Sequence, residues 1–192
     1  MKKFEFTGET KTTINGIVLH RIKALVRIDL GYSTIIEVGD LGGWLEKEDN
    51  LSYLGNAWVS GDAEVFGDAR VFGDALISGY SRVFGNAEVF GNAEVLGDAK
   101  IYGDSKVSDD ACIKKRDHIL AIGPIGSRYE TTTFFRTKDR KIKVSCGCFL
   151  GTIDEFLEKV EQTHGDSKHA IVYRAAADIA LAQIGTSDED DA

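Results

Sequence analysis

The chain has 192 residues, of which 43% are hydrophobic and 28% charged, and this ordinary globular composition excludes collagen-like and wholly disordered proteins. A net charge of −8 argues against general nucleic-acid binding, and no apolar run approaches the roughly 18 residues of a membrane helix. The 21 glycines against a single proline predict many tight turns instead of proline-rich linkers.

Residues 1–50 are predicted to form a β cap ahead of a repeat. Short apolar runs at 4–6, 14–19 and 24–28 are separated by glycines, which is typical of short strands and turns. The GDLGGW segment that follows lacks the Lys-Ser/Thr pair of a phosphate-binding loop. We therefore interpret this segment, with Trp44, as the cover of an open strand edge.

Residues 51–113 carry a repeat of six residues. From residue 57 it reads AWVSGD, AEVFGD, ARVFGD, ALISGY, SRVFGN, AEVFGN, AEVLGD, AKIYGD and SKVSDD. Each unit directs a small and a β-branched residue, such as Ala63 and Val65, to one face of a short strand. The Gly-Asp or Gly-Asn pair then turns the chain. The repeat therefore predicts stacked short strands joined at tight corners.

This pattern resembles the hexapeptide repeat of the bacterial transferase hexapeptide superfamily. The resemblance implies a mainly β fold, a left-handed parallel β-helix with three hexads in each coil, and commonly a homotrimer with parallel helix axes. The GDLGGW segment, followed by Asn50-Leu51-Ser52 and the hexads, is similar to prophage-type members of this group. That similarity implies a phage origin and names no activity.

An 18-residue coil stacks equivalent positions of successive coils about 4.8 Å apart. Two outer faces then carry aromatic ladders, which are too apolar to be left in water and predict a subunit interface. The predicted interface residues are Phe66, Phe84 and Tyr102 on one face, and Phe72 and Phe90 on the next.

Hexapeptide acyltransferases typically place a histidine on a coil, near a loop that interrupts the repeat. No hexad here is interrupted, and the histidines, His20, His118, His164 and His169, all lie outside the repeat. The histidine cluster of hexapeptide carbonic anhydrases is absent for the same reason. An acyl- or nucleotidyl-transferase that uses the C-terminal region stays open as an alternative.

Residues 114–185 are predicted to form a small α+β domain, and 186–192 a disordered acidic tail. Strands are expected at 118–122, 129–137 and 141–148, with a Gly-Pro loop between the first two. A capping box, formed by Thr152 and by Glu155 three positions later, predicts the start of a first helix. A second helix is expected over about 167–184, with Val172, Ala176 and Ile179 on one apolar stripe.

The segment 114–146 carries nine basic and three acidic residues in an otherwise acidic chain. Glycines, hydroxyls and guanidinium groups together suit the oxygens of a small anion such as a nucleotide. The predicted ligand-binding residues are Gly126, Ser127, Arg128, Thr131, Thr133, Arg136 and Lys143. The alternative is that these cations form salt bridges with the acidic β-helix or the C-terminal helices.

Cys112, Cys146 and Cys148 form no disulfide framework, which suits a reducing cytoplasm. Cys146 and Cys148, with His118 or His164, are weak grounds for a metal site, so no metal and no cofactor is predicted.

These observations together predict a cytoplasmic, non-enzymatic, trimeric binding protein. Its expected partner is a small anionic, nucleotide-like ligand that it sequesters, or a host protein that it inhibits. The alternatives are the transferase already described and a purely structural assembly scaffold.

Overall fold

The computed structural model describes residues 2–31 and 34–186. It consists of N-terminal strands, a stack of parallel coils, and a C-terminal sheet that carries two helices. The predicted mainly β fold, with a β-helix and a small α+β region, is confirmed. The predicted disordered tail lies outside the described residues, apart from Thr186.

The N-terminal strands continue one side of the β-helix beyond its first coil. They are β1 (Phe4–Thr12), β2 (Val18–Ala24), β3 (Ile28–Asp29), β4 (Ile35–Ile36) and β5 (Leu41–Leu45). Strand β2 pairs antiparallel with both β1 and β5, while β3 pairs with β4.

The coils are built from two-residue strands that begin every six residues. They are β6 (Trp58–Val59), β7 (Glu64–Val65), β8 (Arg70–Val71), β9 (Leu76–Ile77), β10 (Arg82–Val83), β11 (Glu88–Val89), β12 (Glu94–Val95), β13 (Lys100–Ile101), β14 (Lys106–Val107) and β15 (Cys112–Ile113). From β6 to β12, each strand pairs in parallel with the third strand after it, so that Glu64 pairs with Arg82, and Arg82 with Lys100. The predicted 18-residue stacking is therefore observed.

The inside of the β-helix is filled by the small and β-branched positions of the repeat. Ala63 and Val65 have no exposed surface, and the equivalent alanines and valines of later coils are buried in the same way. Trp58 is also completely buried, under the N-terminal strands. The six-residue period of the sequence is thus the period with which side chains enter the core.

The corners require glycine because successive corners stack backbone on backbone. Gly79 and Gly97 occupy the same corner of neighbouring coils, with φ of +73° and +61°. A Cβ at Gly79 would lie 2.8 Å from the carbonyl oxygen and 2.9 Å from the nitrogen of Gly97. Gly103, in the last coil, has φ of +65° but no atom within 4 Å of such a Cβ.

Replacing Gly79 and Gly103 one at a time distinguishes the stability cost of backbone strain from the cost of contact with the next coil. Both Gly79→Ala and Gly103→Ala force alanine into the left-handed region, which costs roughly 1–2 kcal/mol. Only Gly79→Ala also presses on the next coil, and such overpacking adds about 1–3 kcal/mol. We therefore expect a larger fall in the urea unfolding midpoint for Gly79→Ala. Equal losses in the two variants would contradict this account.

At the corners and strand ends, the hydrogen bonds between coils run in one direction. The backbone nitrogen of Arg82 donates to the Ala99 carbonyl at 2.9 Å, and the other coils follow the same scheme. The first coil therefore presents carbonyl oxygens that no earlier coil can satisfy, and unpaired backbone groups are costly when buried. The nitrogen of Trp44 donates to one of these carbonyls, that of Ala63, at 2.9 Å.

Two buried polar side chains donate hydrogen bonds to further carbonyls of the first coil. The Asn50 side-chain amide donates to the carbonyls of Gly67 and Ala69 at 3.0 and 2.8 Å. The Lys3 ammonium donates to the Ala57 carbonyl at 2.7 Å and to that of Gly55 at 3.3 Å. Burial lowers the pKa of Lys3 to about 8, although the charge of Asp74 partly opposes the shift.

The lowered pKa of Lys3 predicts a specific dependence of stability on pH. Between pH 8 and the ordinary lysine pKa of about 10.4, the unfolded chain binds a proton at this site that the folded chain has lost. The contribution of Lys3 to the free energy of unfolding is therefore least favourable below pH 8 and rises as the pH increases through this window.

Lys3→Met removes this titration while keeping a long apolar side chain. Urea unfolding at pH 7, 8, 9 and 10 should give a stability difference, wild type minus variant, that increases with pH. Parallel pH profiles of the two proteins would rule out a buried, titrating Lys3.

The C-terminal region is an antiparallel sheet with two helices packed on it. Its elements are β16 (Ile119–Ile125), β17 (Glu130–Arg136), β18 (Ile142–Cys146), β19 (Phe149–Thr152), α1 (Ile153–His164) and α2 (Lys168–Gln183). Strand order follows chain order. The expected loop at Gly123-Pro124 belongs instead to β16, because an edge strand tolerates a proline on its unpaired side.

The two helices differ in how well the sequence predicts them. The capping box is confirmed, since the Glu155 nitrogen donates to Thr152 Oγ1 at 3.2 Å and the Thr152 nitrogen to Glu155 Oε2 at 2.7 Å. The stripe predicted for α2 is wrong, because Val172 and Ile179 are exposed and only Ala176 is buried. Helix α2 is apolar on most sides, so its hydrophobic pattern does not indicate the buried face.

Small residues on the other side of α2 allow it to pack closely. The buried residues of this helix are Ala170, Tyr173, Ala176, Ala177 and Ala180. They meet Phe134 and Phe156 in a core separate from that of the β-helix. Within residues 2–31 and 34–186, no helix is long and apolar enough to cross a membrane.

Candidate functional site

Many cations of the basic segment form ion pairs with the β-helix. The Lys143 ammonium lies 2.9 Å from Asp110 and 3.1 Å from Asp109. Burial alone would lower the pKa of Lys143, but hydrogen bonds to the two carboxylates outweigh it and raise the pKa. Lys138 pairs with Glu94 at 2.7 Å in the same way. These contacts correspond to the salt-bridge alternative of the sequence analysis.

Two other predicted ligand residues are buried where the C-terminal sheet meets the β-helix. Thr133 Oγ1 accepts a hydrogen bond from the backbone nitrogen of Lys106, in the last coil, at 3.2 Å. Arg136 is 2% exposed, and its Nη1 lies 3.2 Å from Nε2 of His118. Thr133, Arg136 and Lys143 are therefore not brought together with Arg128 in the cleft described next.

Two of the four remaining predicted residues line an open cleft of about 650 Å³ between the C-terminal sheet and the last coil. Arg128 and Thr131 line it directly, and Gly126 and Ser127 precede them in the chain. The other lining residues are Asp104, Lys106, Gly123, Pro124, Tyr129, Glu130, Ser145, Gly147 and Cys148.

The guanidinium group of Arg128 lies over the turn between β18 and β19. A Cβ at Gly147 would lie 2.8 Å from Arg128 Nη1 and 3.1 Å from Glu130 Oε2. A glycine at this turn therefore leaves space for both charged groups. In the described part of the chain, Arg128 makes no hydrogen bond or ion pair, unlike Lys138 and Lys143.

The loop before Arg128 is held by α2. Gly126 is buried with φ of +70°, and a Cβ there would overlap the ring of Tyr173. Burial raises the pKa of the Tyr173 hydroxyl, as does neighbouring Cys146, while hydrogen bonding with Ser127 acts in the opposite direction. Gly126 and Ser127 thus fix the loop against the helix, and Arg128 is the first side chain beyond this contact.

A smaller aromatic cavity of about 250 Å³ adjoins the cleft and shares Arg128 and Cys148 with it. Its further lining includes Phe149, Phe156, His164 and Tyr173. Over residues 2–31 and 34–186, no three His, Cys, Asp or Glu side chains lie together as a metal site would need. The absence of a metal stays a prediction.

Another cleft, of about 440 Å³, lies at the N-terminal end of the β-helix. Three carboxylates, Glu48, Asp49 and Asp68, line it with two cations, Arg70 and Lys47, and the Lys47 ammonium is already paired with Asp68 at 2.6 Å. This charge balance disfavours an anion. The Arg128 cleft is therefore the better candidate for an anionic ligand.

The aromatic ladders stack as the repeat predicts. Ring centroids are 5.1 Å apart for Phe66 and Phe84, 5.8 Å for Phe84 and Tyr102, and 4.8 Å for Phe72 and Phe90. Phe66 is only 6% exposed, because Leu19 and Trp44 of the same chain pack against it. Phe72 and Phe90 remain half-buried. Their role as interface residues stays a prediction.

Sequence reasoning missed the contribution of the β-helix to the cleft. Asp104 and Lys106 belong to ordinary repeat positions, and no local signal separates them from the same positions of earlier coils. Only the docking of the C-terminal sheet beside the last coil brings them to Arg128. Glu130 and Ser145, in contrast, could have been included because they lie in the same predicted hairpin as the selected residues.

Comparison with known proteins assigns no function to this site. No protein-family model matches the chain, and a search of curated proteins finds no significant similarity.

Proposed function

We propose that this protein binds a small anionic ligand of the nucleotide type in the Arg128 cleft and sequesters it without chemical conversion. The observation that carries the proposal is the difference between Arg128 and its basic neighbours. Lys138 and Lys143 are used in ion pairs with the β-helix, whereas the guanidinium of Arg128 borders an open cleft without a partner in the described residues. Arginine offers a planar, bidentate fork for phosphate oxygens.

The other groups of the cleft indicate which anion is suitable. Thr131 and Ser145 offer hydroxyls, while Asp104 and Glu130 are acceptors that would repel a ligand made only of phosphate. A nucleotide carries phosphate together with ribose hydroxyl and base amine donors. Its phosphates suit Arg128, and its donors suit the two carboxylates.

A transferase role is less well supported. General acid–base catalysis most often uses histidine, and the lining residues of this cleft include none. Cys148 is exposed, and Arg128 and His164 line the adjoining cavity with it, but among the described residues its thiol makes no hydrogen bond to either side chain that would activate it. Sequestration therefore fits the chemistry of the cleft better than turnover.

Titration of the full chain with ADP and with inorganic pyrophosphate tests the proposal. Loss of one charge-assisted contact costs about 1.5–3 kcal/mol, so Arg128→Gln should weaken ADP binding roughly 10- to 100-fold. Lys141→Gln removes an equally positive but exposed side chain outside the cleft and should bind as the wild type does. Pyrophosphate should bind more weakly than ADP, because it lacks the donors.

Isothermal calorimetry measures all of these affinities on the folded proteins. If the full chain binds neither ADP nor pyrophosphate, or if both variants lose affinity equally, the proposed function is wrong.

We also propose that the half-buried Phe72/Phe90 ladder is the subunit interface of a homotrimer. The two rings are nearly parallel, with an interplanar angle of 1°, and they form an apolar strip along one face of the β-helix. The Phe66 ladder is a weaker candidate, because its first ring is already covered within the chain.

Substitution at this ladder tests the trimer. Phe90→Lys places a charge in the proposed contact and should lower the mass measured by sedimentation equilibrium threefold. Tyr80→Lys alters a ring that is 73% exposed at a corner outside the ladder and should leave the mass unchanged. An unchanged mass for Phe90→Lys would exclude this face.

A further inference from the structure

The aromatic cavity beside the Arg128 cleft is lined by a continuous series of rings. Four rings follow one another around its wall: Phe149, Phe156, Tyr173 and His164. The centroids of successive rings are 5.6, 5.5 and 5.7 Å apart. A flat aromatic group gains energy by stacking against or meeting the edges of such rings. The cavity, of about 250 Å³, therefore suits a planar ring system.

The cavity and the cleft meet at Arg128. Arg128 and Cys148 line both spaces, and the Glu130 carboxylate lies close by, since it approaches the open side of Gly147 as Arg128 does. The two volumes, about 650 and about 250 Å³, together fall within the roughly 300–1,000 Å³ that is usual for small-molecule sites. A single ligand of nucleotide size can therefore occupy both spaces.

The charged groups around the cavity differ from those of the cleft. Arg128 and Lys159 line the cavity, and Lys159 makes no ion pair within residues 2–31 and 34–186. Among the described residues, no carboxylate or carboxamide side chain lines the cavity, whereas Asp104 and Glu130 line the cleft. Arginine and lysine donate hydrogen bonds and cannot accept them. A ring with an oxygen acceptor at its edge therefore fits the cavity better than a ring with an amine there.

We propose that the aromatic cavity is the base-binding subsite of the Arg128 cleft, and that it prefers a base with an oxo group, such as hypoxanthine, to adenine. This inference rests on the proposed function, because it places the base of the same ligand. The phosphates lie in the cleft against Arg128, and the ribose hydroxyls donate to Glu130. The base stacks on the rings of the cavity, and its oxo group accepts a hydrogen bond from Lys159.

Calorimetric titration of the full chain with inosine diphosphate and with ADP tests the preference. Inosine diphosphate is ADP with an oxo group in place of the base amine, so it should bind roughly 2- to 10-fold more tightly, the worth of one ordinary hydrogen bond. Lys159→Met should reduce this difference. Lys168→Met removes an exposed lysine of α2 outside the cavity and should preserve it. Equal or tighter binding of ADP to the wild type overturns the preference.

Replacement of one ring tests the position of the base. Phe149→Leu keeps an apolar side chain in the half-buried wall but removes stacking, so both nucleotides should bind at least about 5-fold more weakly. Pyrophosphate has no base, and its unchanged affinity would show that the variant keeps a folded cleft. Tyr80→Leu removes an exposed ring at a corner of the β-helix and should alter none of the three affinities.

The outcomes separate this subsite from the proposed function. If ADP binding depends on Arg128 but not on Phe149, the base lies elsewhere and only the subsite is wrong. If Lys159→Met or Phe149→Leu weakens pyrophosphate as much as ADP, the subsite is also wrong, because the substitution has then affected phosphate binding instead of base binding. If neither ADP nor pyrophosphate binds to the wild type, the proposed function is wrong and the subsite with it.

Discussion

The one-directional hydrogen bonding at the corners and strand ends of the coils is the constraint on which the other parts of the structure depend. Since at these positions each coil donates from its backbone nitrogens to the carbonyls of the next, the first coil is left there with carbonyls and the last with nitrogens. The two ends therefore need opposite chemistry. Lys3 and the Asn50 amide bring donors to the first coil, while the Thr133 hydroxyl brings an acceptor to the last.

The same constraint explains how the candidate site is divided. Docking the C-terminal sheet on the last coil takes Thr133 into the contact, and Lys143 follows it into ion pairs with Asp109 and Asp110. Arg128 lies on the loop that α2 holds beyond this contact, so it stays available at the edge of the cleft. Thr133 and Lys143 thus attach the C-terminal sheet to the β-helix, whereas Arg128 of the same basic segment stays available for a ligand.

The sequence predicts those features that are encoded locally. Corner glycines and inward valines recur every six residues, and the capping box at Thr152 is a four-residue signal, so both could be recognised without tertiary information. The buried face of α2 could not, because alanine packs well on any side of an apolar helix. Nor could Arg128 be separated from Arg136, since their different burial arises from how the sheet docks.

The modular stack has a consequence for how such a chain can change in length. The N-terminal strands hydrogen-bond to the first coils and the C-terminal sheet to the last ones, so a whole coil of 18 residues could be duplicated without altering the hydrogen bonds at either end. The two ends would move apart by about 4.8 Å. Insertion of a single hexad would instead rotate the C-terminal sheet by a third of a turn about the stack axis. Evolution by whole coils therefore preserves the relative orientation of the two ends, whereas evolution by hexads changes it.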